Sequence, residues 1–439
     1  GTADAQPLEE RYGKKFIPEG MTIQDFGVSY DELEPYFDKA EKVFGTSGTA
    51  WSVNGKVIGK GKGGNPFAPD RSNDFPLPAQ KRTFSAQMFA QAAESVGYHP
   101  YDLPSANTSG PYTNPYGAQM GPCNFCGYCS GYACYMYSKA SPNVNIWPAL
   151  RQEPKFELRA NSHVLRVNLS DDKKRATGVT YVDAQGRQIE QPADIVILAA
   201  FQFHNVHLML LSGIGKPYNP VTEEGVVGRN YAFLSNGGAT LFFKDKNFNP
   251  FATSGPTGQM FNDISPGNFD GPGLGFIGGA KIHSSQATGT PIGTALPKGV
   301  PSWGTGWKEG LEEWYGHSMK ISITTTCMSY RDIYLDLDPN YTNEHGQPLL
   351  RMTFNWKQNE LKLQQYLKGI VGNIAKELNP DSMSMSFLPM GADFDLTKYV
   401  STHNVGGAVM GDNPKTSALN KYLQSWDVHN VFVPGGNAF

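Results

Sequence analysis

Four of the five cysteines of this 439-residue chain lie within twelve residues. They are Cys123, Cys126, Cys129 and Cys134, and the residues between them include several that are small. Thiolates so close in sequence can converge on one soft inorganic centre, and small neighbours allow a loop to wrap that centre closely. The segment therefore favours an iron–sulfur cluster, and four cysteines permit a four-iron centre.

Disulfides and structural zinc remain alternatives for the cysteine segment. Disulfides usually staple small chains in an oxidising compartment, whereas this chain is large and only Cys327 lies outside the segment. Structural zinc also uses Cys-x-x-Cys pairs, but a longer finger or ribbon normally separates the two pairs, and here the pairs overlap.

Size and composition exclude several classes of protein. A chain of 439 residues is long enough for two or three domains. The formal charge is −3 with 18% charged residues, so no basic field exists for a nucleic-acid partner. The longest apolar stretch, residues 195–201, is far shorter than the ~20 residues of a spanning helix. We therefore expect no transmembrane segment of its own.

The sequence pattern predicts a mixture of helices and strands. Ser29 with Glu32 three residues later begins a helix that Gly45 ends. Residues 156–182 predict a small β-meander, and residues 357–378 have helix-spaced apolar side chains. The apolar run 195–200 predicts a buried parallel strand that leads into a helix, which is typical of an α/β fold.

Several motifs in a fixed order resemble the glucose-methanol-choline (GMC) family of flavin oxidoreductases. The segments that carry the resemblance are Tyr30-Asp-Glu-Leu-Glu-Pro-Tyr36, the run 195–200 through Ser212-Gly-Ile-Gly215, Val227-Gly-Arg-Asn230, His403-Asn-Val-Gly-Gly-Ala-Val-Met-Gly411 and Val428-His-Asn-Val-Phe-Val-Pro-Gly-Gly-Asn437. The resemblance implies an FAD-dependent dehydrogenase that oxidises an alcohol group of a substrate.

The cysteine segment is similar to that of one GMC subgroup, the bacterial membrane-associated sugar and sugar-acid dehydrogenases such as the gluconate 2-dehydrogenase, fructose dehydrogenase and cytochrome-linked glucose dehydrogenase catalytic subunits. This resemblance implies a sugar, polyol or sugar-acid substrate and a three-iron (3Fe-4S) cluster on three of the cysteines as the alternative to a 4Fe-4S cluster. It also implies a multihaem cytochrome c subunit, a small chaperone-like subunit, and a periplasmic location at the membrane through a partner subunit.

The resemblance also implies residue roles. His403 would be the base that takes the hydroxyl proton from the substrate. The contacts to FAD would come from one residue of the meander, one at the end of the buried strand and three of the last turn, namely Val164, Ala200, Gly435, Gly436 and Asn437. Cys123, Cys126, Cys129 and Cys134 would be the metal ligands.

The chain also departs from the family pattern. It has no Gly-x-Gly-x-x-Gly turn between a strand and a helix, and the glycines at 59–64 lie among polar loop residues without a following apolar helix. The family continues past the flavin turn to a second catalytic His or Asn. We therefore expect a fragment that is incomplete at both ends. A competing hypothesis is an inactive fragment or a non-catalytic protein whose cysteine loop binds a structural metal.

The predicted fold class is mixed α/β, with a Rossmann-like FAD-binding domain interleaved with an antiparallel-sheet substrate domain. The predicted division is peripheral helices and loops of the FAD and substrate region (1–120), the cysteine loop (121–142), an FAD-binding portion (143–215), a substrate-binding domain (216–400) and a return to the FAD-binding domain with the active-site histidine (401–439).

Overall fold

The computed structural model describes residue 13 and residues 17–129, 131–253, 255–284, 290–326, 328–399 and 402–439. The fifth cysteine, Cys327, lies outside these residues.

The helices include those predicted at 29–45, at 357–378 and after the run 195–200. They are α1 (Tyr30–Phe44), α2 (Phe84–Ser95), α3 (Pro142–Asn145), α4 (Trp147–Leu150), α5 (Gln202–Ser212), α6 (Gly304–Trp314) and α7 (Gln358–Leu378). In α1, Ser29 and Glu32 form the predicted capping box and Gly45 ends the helix in the left-handed conformation. None of the helices in the described segments is long and apolar enough to span a membrane.

The strands are mostly short, and loops rich in Gly and Pro separate them. They are β1 (Ser47–Gly48), β2 (Ser52–Val53), β3 (Lys56–Val57), β4 (Leu77–Pro78), β5 (Tyr101–Asp102), β6 (Tyr112–Thr113), β7 (Gln119–Met120), β8 (His163–Leu169), β9 (Ala176–Val182), β10 (Gln188–Pro192), β11 (Val196–Ile197), β12 (Ala232–Phe233), β13 (Asn236–Phe242), β14 (Gln259–Phe261), β15 (Ala280–Ser284), β16 (Ser318–Thr325), β17 (Tyr334–Thr342), β18 (Pro348–Thr353), β19 (Ser382–Ser386), β20 (Asn404–Val405) and β21 (Val431–Phe432).

One apolar core surrounds the predicted parallel strand. Strand β11 pairs in parallel with β21, which confirms the predicted parallel strand in the run 195–200. The predicted burial is wrong for half of the run, because Val196 and Leu198 are buried whereas Ile195 and Ile197 are exposed and Ile197 lines a cleft. The predicted meander forms from β8, β9 and β10 in antiparallel order. Helix α5 follows β11 directly and buries Val206, Met209 and Leu210 against this core.

A second core lies on one face of a six-stranded antiparallel sheet with the order β19-β13-β16-β15-β14-β5. Side chains alternate between the two faces of a strand, so Leu241, Ile321 and Ile282 point to the same face. That face packs against α2 and α7, which contribute Phe89 and Leu367. The opposite face carries polar residues on β13, β15 and β16, and the buried side chains of Met260 and Tyr101 on β14 and β5.

Candidate active site

The structure places two of the predicted cofactor residues in one cleft. The cleft has a volume of about 940 Å³ and lies between β8, β11 and α5. Val164 lines it from β8, and Ala200 lines it from the end of the buried strand. Ala200 follows the carboxyl end of β11, where α/β folds place their ligands, and Val164 lies at the amino end of β8.

Asn205 connects this cleft to the predicted flavin turn. Its Oδ1 accepts a hydrogen bond from the backbone N–H of Ala200 (2.8 Å), and its Nδ2 donates to Pro434 O (3.0 Å) and to Asn437 Oδ1 (2.8 Å). Asn205 and Asn437 are completely buried. The residues predicted to contact FAD from two distant segments therefore belong to one hydrogen-bonded unit.

The loop that carries His403 rests on the same turn. The N–H of Gly406 donates to Gly436 O (2.9 Å), and the N–H of Ala408 donates to Asn437 O (3.1 Å). His403 itself is exposed, with a φ of 62°. A positive φ is uncommon for a residue other than glycine. Such a strained backbone conformation persists only where the surrounding structure holds the residue in it.

A cluster of buried amide side chains, which the sequence did not predict, lies beneath the turn. Its members are Gln202, Asn205, Asn404 and Asn437, each exposed by 4% or less. Asn404 Oδ1 accepts hydrogen bonds from Tyr231 (2.7 Å) and Tyr399 (2.6 Å). The sequence contains one sign of this cluster. Asn205-Val206, upstream of Ser212-Gly-Ile-Gly215, occupies the position where the resembled family has Thr-Pro.

Two features of the turn bear on its fit to a flavin. Gln202 Oε1 and Asn404 Nδ2 are buried without a hydrogen-bond partner in the described part of the chain, although buried polar groups are normally bonded. A Cβ added at Gly436 would lie 2.5 Å from Asn404 O, so the turn and the His403 loop approach more closely than a side chain permits. Gly435, with a φ of 139°, is exposed at the surface of the turn.

Histidines line one side of the cleft. His207 Nε2 lies 2.7 Å from Pro348 O, and burial lowers the pKa of His207 below its ordinary value of 6.5. The ring of His163 lies 5.0 Å from that of His345. His204 also lines the cleft but is exposed. A neutral His207 adds little charge to a cleft that is otherwise largely aliphatic.

The predicted metal ligands lie on a separate loop, and all four cysteines are half-buried. Backbone hydrogen bonds hold the loop against its neighbours, from Cys123 N to Thr108 O (2.9 Å) and from Gly127 N to Thr253 O (2.8 Å). Lys139 Nζ donates to Cys129 O (2.8 Å) and to Tyr132 O (3.2 Å).

The donor chemistry of four thiols suits an iron–sulfur cluster, but their arrangement is not that of a preformed site. Across the described ranges, no three His, Cys, Asp or Glu side chains are grouped so that they could hold a metal ion. The fit of this loop to a cluster therefore rests on the type and number of its donors alone.

Two family models described as GMC oxidoreductase match the chain, an N-terminal model over residues 23–233 and a C-terminal model over residues 332–439. The gluconate 2-dehydrogenase flavoprotein of Pantoea cypripedii is 65% identical over 433 residues, which cover 98% of this chain and 70% of that protein. The fructose dehydrogenase large subunit of Gluconobacter japonicus is 24% identical over 420 residues, which cover 94% of this chain and 70% of that protein.

Among solved structures, a mutant formate oxidase of Aspergillus oryzae RIB40 aligns with a TM-score of 0.50 and 13% identity, over 94% of this chain and 74% of that one. At this identity the likeness concerns the fold alone. Together with the family models, it confirms the predicted mixed α/β flavin-binding fold with its antiparallel sheet.

Proposed function

The chain belongs to the GMC oxidoreductase family, and we propose that it is an FAD-dependent dehydrogenase that oxidises an alcohol carbon of a sugar acid, polyol or sugar, with His403 as the base. The observation that carries this proposal is the contact between two loops. The strand after His403 docks on the turn of Gly436 and Asn437, and Asn205 joins that turn to Ala200.

When bound, FAD supplies the acceptor for the hydride that leaves the substrate carbon. Oxidation also requires removal of the hydroxyl proton, and a neutral imidazole accepts such a proton near neutral pH. His403 is exposed, and the hydrogen bond from Gly406 N to Gly436 O holds the loop that follows it on the flavin turn. Val164, Ala200, Gly435, Gly436 and Asn437 would hold the cofactor, through backbone groups and through the absence of side chains at the two glycines.

The test of the base is His403→Asn, because Asn tolerates the left-handed backbone conformation of this residue but cannot take the proton. We expect kcat to fall roughly a hundredfold or more, the usual contribution of a general base, with the flavin absorbance per protein unchanged. His429→Asn is the matched control, because His429 is also exposed and lies on the turn before β21. Wild-type turnover in His403→Asn would contradict the assignment, and an inactive wild type would favour the non-catalytic alternative.

We also propose that the cysteine loop binds an iron–sulfur cluster, either 3Fe-4S or 4Fe-4S, through Cys123, Cys126, Cys129 and Cys134. Such a cluster would supply one-electron transfer to a multihaem cytochrome c subunit. The support is the set of four thiols on one loop, together with the similarity to a protein that is named a flavoprotein and to another that is named a large subunit. A small chaperone-like subunit and a periplasmic location at the membrane through a partner belong to the same proposal.

The test of the metal is electron paramagnetic resonance with iron and zinc analysis on anaerobically purified protein. We expect three or four iron atoms per chain and a cluster signal. Zinc in stoichiometric amount, or no metal, would reduce the loop to a structural element. Purification from a native host followed by a haem spectrum tests the cytochrome subunit independently.

The division of the chain into domains remains a proposal. The separation of the two apolar cores supports a substrate-binding unit around the six-stranded sheet. Limited proteolysis with mass spectrometry would locate the boundaries.

A further inference from the structure

The residue that follows His403 is fixed to the core by its side chain and by its backbone. Asn404 is 4% exposed, whereas His403 is exposed. The Oδ1 atom of Asn404 accepts hydrogen bonds from the hydroxyl groups of Tyr231 (2.7 Å) and Tyr399 (2.6 Å). The backbone of Asn404 pairs with that of Phe233 between β20 and β12. Asn404 therefore has little freedom to move.

The two tyrosines that donate to Asn404 are themselves held by packing. Tyr231 is completely buried, and its ring lies 5.9 Å from that of Phe354. The ring of Tyr399 lies 5.0 Å from that of Phe233. Closely packed side chains stay in one rotamer on average, so both hydroxyl groups remain within reach of Asn404.

His403 needs support because of its backbone conformation. Its φ of 62° lies in the left-handed region, where the Cβ atom approaches the backbone unfavourably. Tyr399 and Asn404 lie on either side of His403 in the sequence, and the hydrogen bond between their side chains joins the two sides. Breaking this bond would permit His403 to relax toward a more favourable conformation.

The ring of His403 depends on its backbone for its position. Across the described ranges, no hydrogen bond, ion pair or ring contact holds the imidazole. A general base must lie within hydrogen-bond reach of the proton it takes, and a misplacement of about 1 Å can cost roughly a hundredfold in rate. The contacts that fix the neighbours of His403 therefore bear on its reaction.

We propose that Asn404, held by Tyr231 and Tyr399, is a positioning residue that keeps His403 in the conformation in which it meets the substrate. This inference rests on the proposed function, because it assigns to three further residues an effect that acts through the base. A loss of such positioning lowers kcat and leaves KM unchanged, since the binding of the ground state does not use the base.

The main test is Tyr399→Phe in flavin-loaded protein, with a six-carbon aldonate as substrate and ferricyanide as electron acceptor. The variant loses one hydroxyl group and keeps the packing of the ring. We expect kcat per bound flavin to fall roughly three- to tenfold, as for loss of one intramolecular hydrogen bond, with KM within about twofold of wild type. Asn404→Ala removes both hydrogen bonds and should lower kcat roughly ten- to hundredfold. Tyr341→Phe is the matched control, because Tyr341 is 69% exposed on β17, and it should behave as wild type.

A double variant separates positioning from general support of the fold. In the His403→Asn background, which lacks the proposed base, Tyr399→Phe should cause no further loss of kcat, because a positioning residue has no effect once the group it positions is gone. Equal fold losses with and without His403 would contradict a role through the base. Wild-type kcat in Tyr399→Phe, or a rise in KM with unchanged kcat, would also overturn the inference.

Amide hydrogen exchange with mass spectrometry provides a readout that needs no turnover. Residues 402–410 should exchange faster in Tyr399→Phe than in wild type, while Tyr341→Phe leaves their exchange unchanged. Unchanged exchange in Tyr399→Phe refutes the positioning role whether or not the protein is active. Wild-type turnover in His403→Asn refutes the base of the proposed function, whereas hydrogen exchange still decides whether Tyr399 holds this segment.

Discussion

The flavin turn and the cysteine loop are both predicted to hold redox groups, but the chain builds them differently. At the turn, four buried amide side chains join three distant segments, and Asn205 alone makes three hydrogen bonds. At the cysteine loop the thiols are half-buried, and the described residues contain no group of three side chains placed to hold a metal ion. Most amide atoms at the turn are bonded within the protein, and Gln202 Oε1 and Asn404 Nδ2 are the exceptions in the described part of the chain. A metal site instead gains its order when the metal binds.

Asn205→Leu should have the largest effect on the free energy of unfolding, and it tests the flavin turn but not the cysteine loop. The substitution keeps the side-chain size but leaves Ala200 N, Pro434 O and Asn437 Oδ1 without their partner. We expect the free energy of unfolding to fall by about 3 kcal/mol or more, since each orphaned buried group costs about 1–3 kcal/mol. Urea unfolding measures the loss, and flavin content should fall with it.

Asn340→Leu is the control for that change, because Asn340 is exposed on β17. Its effect should stay within about 0.5 kcal/mol. Equal stability of the two variants would show that the amide cluster does not organise the turn.

A smaller effect is expected from Gly436→Ala, which tests how closely the two loops approach. The added methyl group would lie 2.5 Å from Asn404 O, where backbone must shift to admit it. We expect a loss of about 1–3 kcal/mol in the free energy of unfolding, as for other overpacked sites. Gly369→Ala in α7 meets no atom within 4 Å and should be neutral or stabilising by up to about 1 kcal/mol.

At the cysteine loop, Lys139→Met should change metal content rather than stability. The variant removes the ammonium that donates to Cys129 O and Tyr132 O. We expect the iron bound per chain to fall, while the free energy of unfolding changes by about 1 kcal/mol or less because the group is only partly buried. Lys155→Met, at an exposed position, is the control. A full complement of iron in Lys139→Met would show that the loop is ordered without this lysine.

The smallest expected effect concerns pH at the cleft. Burial holds the pKa of His207 below 6.5, so the unfolded chain binds the proton more readily than the folded one. The stability is therefore complete above pH 6.5 and is lost as the pH falls below that value. The loss should be under about 1 kcal/mol, because His207 is half-exposed and solvent screens its charge.

Thermal unfolding at several pH values measures this loss of stability. It should shrink in His207→Gln and persist in the His429→Gln control. A pH dependence that is the same in wild type and His207→Gln would mean that another group is responsible.

Local signals in the sequence were sufficient for individual elements. Ser29, Glu32 and Gly45 predicted both ends of α1, and the run 195–200 predicted a strand in parallel pairing. These predictions succeeded because caps and uninterrupted apolar runs act over a few residues. The predicted roles of His403 and of the cysteines remain predictions.

The sequence by itself determined the order of motifs, the family they resemble and the types of donor side chain at each predicted site. Only the tertiary structure decided which of them meet. Asn205 bonds to Asn437 across 232 residues, and strand register sets His283 beside Ser322. Such contacts depend on how strands pair and how loops pack, and neither is encoded in the spacing of residues along one segment. The polar face of the sheet therefore emerges only when its strands are aligned.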